Sequence, residues 1–221
     1  MISVSLPSIN CLRTAAVNFG MADPVVGVLA LQGDVVEHIR ALESSGTRVL
    51  EVRTERQLGA VDALIIPGGE STTVIKLLNR FGLVAPIKAR VHAGMPLWGT
   101  CMGMIVAAHD VAGLDQETLD LIDITVRRNA FGRQIASAEV ALDIPALGGA
   151  PFPAVFIRAP WIERAGASVE ILATHEGHGV FVRQGNVMAT SFHPELTGDD
   201  RVHGYFARLV ATAMAAVAKA S

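Results

Sequence analysis

Seven consecutive residues near the start of the chain, Val25–Leu31 (Val-Val-Gly-Val-Leu-Ala-Leu), carry no polar side chain. A strand with one face in water would alternate, so an unbroken apolar run of this length predicts a strand buried on both faces, as in a parallel sheet covered by helices. The sequence that follows keeps the rhythm. Gly33–Ser45 places Val35, Val36, Ile39 and Leu42 at helical spacing and stops at Gly46. Thr47–Val52 and Ala63–Ile66 read as the next two strands, and Ser71 opens a helix with Val74, Leu77, Leu78 and Phe81 on one face. Pro86–His92 is again helical, and a short strand Pro96–Trp98 leads into a helix over Met102–Ala108. Strand alternating with helix predicts an α/β fold with a mostly parallel central sheet and helices on both faces. The second half is richer in strands: Asp120–Arg127, Ile135–Leu142, Ala154–Ile157, Glu170–Thr174, Gly179–Arg183 and Asn186–Ser191, with Gln184-Gly185 as a hairpin turn. That predicts an antiparallel elaboration, closed by an amphipathic helix over Arg201–Lys219.

With 51% hydrophobic and 18% charged residues in 221, the chain has material for one large core and no disordered or fibrous character. A mean hydropathy of +0.42 raises the membrane question. Every apolar run is broken by Gly, Pro or charge well before the roughly 18 residues a spanning helix needs, so no membrane segment is expected. The formal charge of −3, scattered Lys and Arg, and an aromatic content of 5% argue against nucleic acid as a partner. Two cysteines, Cys11 and Cys101, are too few for a disulfide framework and point to a reducing, cytoplasmic compartment. Residues 1–22 have one basic residue, Arg13, and no secretory h-region. They read as an N-terminal extension, disordered or produced by a start-site choice at Met21, ahead of a single domain over 23–221.

Three segments carry chemistry. Gly99-Thr100-Cys101-Met102-Gly103 has the form Gly-x-nucleophile-x-Gly between a short strand and an apolar helix. A nucleophile elbow needs small flanking residues, and the helix start favours thiolate over thiol at Cys101. The pentapeptide alone fits equally well a structural cysteine flanked by packing glycines. Ser191-Phe192-His193-Pro194-Glu195 follows another strand, so its imidazole and a carboxylate two residues on can act as base and orienter. Pro67-Gly68-Gly69-Glu70-Ser71-Thr72 lies between a buried strand and a helix; its paired glycines can turn N–H groups toward an oxyanion, or simply make the turn into a capped helix. Cys101, His193 and Glu195 therefore form a candidate triad on one sheet edge.

These motifs resemble the triad-type (class I) glutamine amidotransferases. Leu31-Gln32-Gly33, the Pro67–Thr72 loop, Arg128-Asn129-Ala130-Phe131-Gly132-Arg133-Gln134, Phe156-Ile157-Arg158-Ala159-Pro160 and Ser191–Thr197 are similar, more narrowly, to the PdxT family, the glutaminase subunits of pyridoxal 5′-phosphate synthase. The resemblance implies a flavodoxin-like fold and hydrolysis of L-glutamine to L-glutamate and ammonia. It also implies transfer of the ammonia to a TIM-barrel synthase subunit in a multimeric complex, with no cofactor. By the same resemblance Cys101 is the nucleophile, His193 the general base and acid, and Glu195 the orienting carboxylate. Gly69, Glu70 and Ser71 match the glutamine-binding loop, Arg128 the binding arginine and Ile157-Arg158 a second binding segment. The backbone N–H groups of Gly69 and Met102 would form the oxyanion hole; Met102 stands where the family more often has Ala, and a backbone donor is indifferent to that change. Glutamine has a carboxylate that an Arg holds by charge-assisted bonds and an ammonium that an acid can face.

Other readings keep parts of this pattern. A glutaminase serving a different synthase would share the chemistry. A cysteine peptidase or deglycase would keep the elbow without needing Arg128 and Arg158, and a scaffold with a dead site would have lost a triad member. His175 and His178 flank Glu176 without a third ligand at suitable spacing, so a solvated turn is expected there and no metal. His38, His92, His109 and His203 are expected at the surface.

Overall fold

The apolar run becomes an inner strand of a ten-stranded sheet. The computed structural model describes residues 23–129 and 137–220. The N-terminal extension with Cys11, and the Ala130–Gln134 part of the Arg-Asn segment, lie outside the described residues. In chain order the elements are β1 Val25–Leu29, α1 Val35–Ser44, β2 Arg48–Val52, α2 Glu55–Leu58, β3 Ala63–Ile66, α3 Ser71–Arg80, α4 Val84–His92, β4 Leu97–Thr100, α5 Met102–Ala107, β5 Ala108–Val111 and β6 Ile122–Arg127. They continue with β7 Ser137–Leu142, β8 Phe152–Ile157, β9 Trp161–Ala165, β10 Glu170–His175, β11 His178–Gln184, β12 Val187–Thr190 and α6 Arg201–Ala220. Short 3₁₀ turns occupy Pro145–Leu147 and Pro194–Leu196.

The sheet runs β2-β1-β3-β4-β12-β11-β9-β6-β5, with β10 paired to β11. From β2 to β12 every pairing is parallel, and beyond β12 it turns antiparallel except for β5 with β6. A separate antiparallel pair, β7–β8, completes the expected elaboration. The Gln184-Gly185 hairpin joins β11 to β12, so the strand that carries the His193 loop returns into the parallel half beside β4.

Alternate residues of the buried strands feed two cores. Leu64 and Ile66 of β3 pack with Leu97, Val74, Leu78, Ile87 and Val106 on one face, while Ile65 joins Trp98, Leu42, Phe181, Phe192 and Phe206 on the other. This is the two-sided cover that an unalternating strand requires.

The structure departs from expectation at several elements. The strands β5 and β9 and the one-turn helix α2 have no strong sequence signal and were not expected. In α1 the buried stripe is Val35, His38, Ala41 and Leu42, and Val36 faces water. In α3 Val74, Ile75 and Leu78 are buried, whereas Phe81 ends the helix and is exposed.

Candidate active site

The elbow is as tight as its glycines suggest. β4 ends at Thr100, and Cys101 takes φ 48° and ψ −104° before α5 begins at Met102. Such a conformation is strained for a residue with a Cβ and persists only where the surroundings enforce it. Here the Cys101 N–H donates to the Thr190 carbonyl of β12 at 2.7 Å. A Cβ on Gly103 would collide with the Ile66 carbonyl of β3, so the helix can approach the sheet this closely only with glycine there. Cys101 is buried, with its thiol 3.9 Å from the Ile157 carbonyl.

His193 sits in the connection from β12 to α6, its N–H donating to the Val155 carbonyl of β8 at 2.8 Å. Its Nδ1 lies 2.7 Å from Glu195 Oε1 and 3.3 Å from Asp34 Oδ2, and Cys101 acts electrostatically on the same ring. Burial pulls the imidazole down, but the bonds to Asp34, Cys101 and Glu195 outweigh it and push it up from the usual 6.5 to about 12. Burial likewise pushes Glu195 up, against the pull of His193. The raised His193 keeps its Nδ1–H, which donates to Glu195 Oε1 across the 2.7 Å bond. Asp34, His193 and Glu195 bring ligand-type atoms within 4.8 Å of one another, but His193 already engages both carboxylates.

Gly68 explains how the imidazole comes so near the glycine loop: a Cβ at this position would run into the His193 ring and Asp34. The loop is pinned from two sides. The Gly68 carbonyl accepts from the Asp34 N–H at 3.2 Å, and the Glu70 N–H donates to Gln32 Oε1 at 2.8 Å.

One cavity of about 100 Å³ gathers the expected residues: Gly69, Glu70, Ser71, Cys101, Met102, Arg128, Ile157 and Arg158 line it together. His193 and Glu195 are buried and do not line it. Arg128 reaches Glu70 Oε1 at 3.2 Å and Gln116 Oε1 at 3.1 Å. Three of the five described non-glycine residues with φ between 43° and 51°, Cys101, Asn129 and Arg158, border this cavity. Backbone strain of this kind concentrates at ligand sites.

Residues from all along the chain thus surround the Cys101 thiol. A profile of the SNO glutamine amidotransferase family matches residues 28–212. The chain belongs to that family. Pyridoxal 5′-phosphate synthase subunit PdxT of Streptomyces avermitilis is 57% identical over 194 residues, covering 86% of this chain and 96% of the relative. The protein of the same name in Mycobacteroides abscessus is 55% identical over 189 residues, covering 85% and 97%. A crystal structure described as a glutamine amidotransferase superposes with a TM-score of 0.80 at 47% identity, covering 84% of this chain and 98% of that one. A glutamine amidotransferase from Thermotoga maritima, 15% identical with a TM-score of 0.55 over 87% of this chain and 91% of its own, shares the fold.

Several residues around this cavity escaped the sequence reading. Asp34 and Gln116 are polar residues in loops, with no spacing to flag them, and Gln32 entered only through the resemblance of Leu31-Gln32-Gly33. His38 and His203, expected at the surface, are fully buried. The signal for His38 was present: it falls on the Val35–Leu42 stripe of α1, and a polar residue there needs a buried partner. His92 and His109 are exposed as expected. His175 and His178 pair across the β10–β11 turn, but each stacks on an aromatic ring, Phe156 and Trp161, so the turn is more than solvated.

A larger hollow of about 410 Å³ opens at the opposite end of the parallel strands, between Asp62, Arg90, Met95 and the end of α6. Its charged groups are committed to backbone: Arg90 to the Leu58 and Val61 carbonyls, Asp62 to the Val25 N–H. Among the described residues no helix is long and apolar enough to cross a membrane.

Proposed function

We propose that this chain is the glutaminase subunit of a pyridoxal 5′-phosphate synthase, hydrolysing L-glutamine to L-glutamate and ammonia and passing the ammonia to a separate synthase subunit. The observation that carries this reading is the single cavity in which an elbow cysteine, backed by a His–Glu pair, meets a glycine loop and two arginines. Relatives covering the same length that are named as PdxT support the choice of pathway.

In this reading His193 stands protonated beside Cys101, whose sulfur, having given up its proton, attacks the side-chain amide carbon of glutamine. The amide oxygen becomes an oxyanion that the N–H groups of Gly69 and Met102 face, each such donor being worth roughly 10²–10³ in turnover. His193 returns the proton to the nitrogen, ammonia leaves, and a glutamyl thioester remains. Water gives a proton to His193 and attacks the thioester carbonyl; the sulfur leaves as thiolate beside the re-protonated imidazole and glutamate is released. Glu195 keeps Nδ1 protonated so that the other ring nitrogen faces the thiol. Arg128 and Arg158 hold the α-carboxylate, and Glu70 faces the α-ammonium. The ammonia acceptor in this proposal is a TIM-barrel synthase subunit joined with this chain in a multimeric, cytoplasmic complex.

The test is release of glutamate and ammonia by the full chain, with and without that synthase subunit. Turnover that rises with the synthase and saturates at a fixed ratio is the expected result. Absence of glutamine hydrolysis in both conditions overturns the reading.

A further inference from the structure

Behind the carboxylate that holds His193 lies a pair of buried histidines that the chemistry above does not use. His38 of α1 and His203 in the first turn of α6 are fully buried, with His38 Nδ1 3.1 Å from His203 Nε2. On the other side of its ring, His38 Nε2 lies 3.1 Å from Thr100 Oγ1 and 3.5 Å from Glu195 Oε2. That oxygen is the one His193 does not take, and it is buried with no hydrogen-bond partner, His38 Nε2 standing at ion-pair distance. Trp98 packs edge-on against both imidazoles, at 5.5 Å and 5.0 Å between ring centres.

Counting protons decides what the pair can do. Burial, helped by nearby His203 and His193, holds His38 well below the usual histidine value, and burial takes His203 down to about 4. Both rings are therefore neutral near pH 7, with one N–H each. Were the His38 proton on Nδ1, the bare Nε2 would face the Glu195 carboxylate, and His203 would bury an N–H at Nδ1, which has no partner. With the proton on Nε2, His38 donates toward Thr100 and Glu195 Oε2, accepts from His203 Nε2–H, and leaves only a bare lone pair at His203 Nδ1. Orphaned buried N–H groups are rarer and costlier than under-satisfied acceptors, so the second arrangement wins.

We propose that His38 is a positioning residue for the reaction: its Nε2–H, held in that tautomer by His203, steadies the second oxygen of Glu195 so that the first stays on His193. The chain of contacts then runs His203–His38–Glu195–His193–Cys101, from the first turn of α6 to the nucleophile. This rests on the glutaminase reading for its kinetic consequence, but not for its geometry.

Replacing His38 by Leu removes the donor. Turnover with the synthase subunit should fall about 10- to 100-fold, the range for losing one hydrogen bond to a charged group, while the glutamine KM stays within a few-fold. A carboxylate that has lost a donor is easier to protonate, so the acid limb of the turnover profile should move to higher pH. The other charged or titratable groups around His38 and Glu195 are Asp34 before α1, His193 in the same loop, and His203 and Asp200 at the start of α6. They are unchanged in the variant, so they do not account for the shift. His38→Gln, which can place an N–H near the Nε2 position, should recover most of the loss and return the acid limb; His203→Phe should show a smaller loss in the same direction.

Nitrogen-15 NMR of histidine-labelled full chain reads the tautomer with no assay of activity. A neutral His38 protonated at Nε2 supports the proposal; a charged ring or one protonated at Nδ1 overturns it. So does a folded His38→Gln, judged by its thermal midpoint, that is as slow as His38→Leu. Should the native complex release no glutamate, the glutaminase reading fails, and the NMR result still decides what holds Glu195.

Discussion

The two halves of the sheet are built on different terms, and the site straddles them. In the parallel half, β3, β4 and β12 are buried at every position, and their ends carry the glycine loop, Cys101 and the His193 loop. In β6 and in the β7–β8 pair, burial alternates with exposure. From the ends of β6 and β8 come Arg128 and the Ile157-Arg158 segment, both at the cavity. The groups proposed to make and break bonds thus stand on strands packed from both sides, where a small displacement is resisted on every face. Arg128 and Arg158, which would only grip the substrate, follow strands with one wet face, although Glu70 sits in the loop after β3.

The sharpest way to break this comparison is at the elbow. Cys101→Ala should lower glutamine turnover by about 10⁴-fold or more, since loss of a nucleophile removes the covalent route altogether. The thermal midpoint should hold or rise, because the variant puts a smaller side chain in the same strained turn. Near-native glutamate release from this variant would remove Cys101 from the mechanism.

Glu195→Gln separates activity from stability. Turnover should drop roughly 10³- to 10⁴-fold, as when a triad acid becomes an amide and the imidazole loses its preferred tautomer. Stability should change little, because the native carboxylate is buried and its pKa is raised, so ionising it at neutral pH works against the fold. The pH dependence has a definite sign. His193 is raised from 6.5 to about 12, so its contribution is complete below 6.5 and is lost as pH climbs toward 12. Chemical denaturation of the native chain at rising pH should show that loss, and Glu195→Gln, lacking one of the groups that raise His193, should show less of it. An equal pH dependence in both proteins would detach Glu195 from His193.

On the half-exposed side the expected effects are smaller and of another kind. Arg128→Ala or Arg158→Ala should raise the glutamine KM about 10- to 100-fold, the loss of one charge-assisted contact, with kcat changed far less. Arg128 spans Glu70 and Gln116 at the cavity, so its guanidinium is held in place by both. Unchanged KM in both variants would point to a substrate without an α-carboxylate.

The same contrast explains which features were legible in the sequence. Val25–Leu31, Ala63–Ile66 and the Gly-x-Cys-x-Gly turn announce themselves because burial on both faces allows no polar side chain, and an elbow requires glycine at Gly99 and Gly103. β9 (Trp-Ile-Glu-Arg-Ala) and β5 (Ala-His-Asp-Val) were missed because half of each faces water, and their charged residues hide the period. Tertiary partners were the other blind spot. Nothing local tells that Asp34 will meet His193 or that His38 will meet His203, since those contacts span 159 and 165 residues and exist only once α1 and α6 lie on the same face of the sheet.

The smallest expected effect marks the far limit of the antiparallel half. Arg164 of β9 donates to Asp123 Oδ1 of β6 at 2.6 Å, a short ion pair, yet the side chains are 48% and 46% exposed. Water solvates both partners in the unpaired state, and ordering two mobile side chains offsets most of the attraction. Arg164→Ala should therefore shift unfolding free energy by no more than about 0.5 kcal/mol and leave kcat and KM for glutamine unchanged. A clear loss of turnover would mean that the antiparallel half transmits strain to Arg128, which follows Arg127 at the end of the β6 strand paired with β9. The division between a rigid reacting half and a tolerant gripping half would then have to be redrawn.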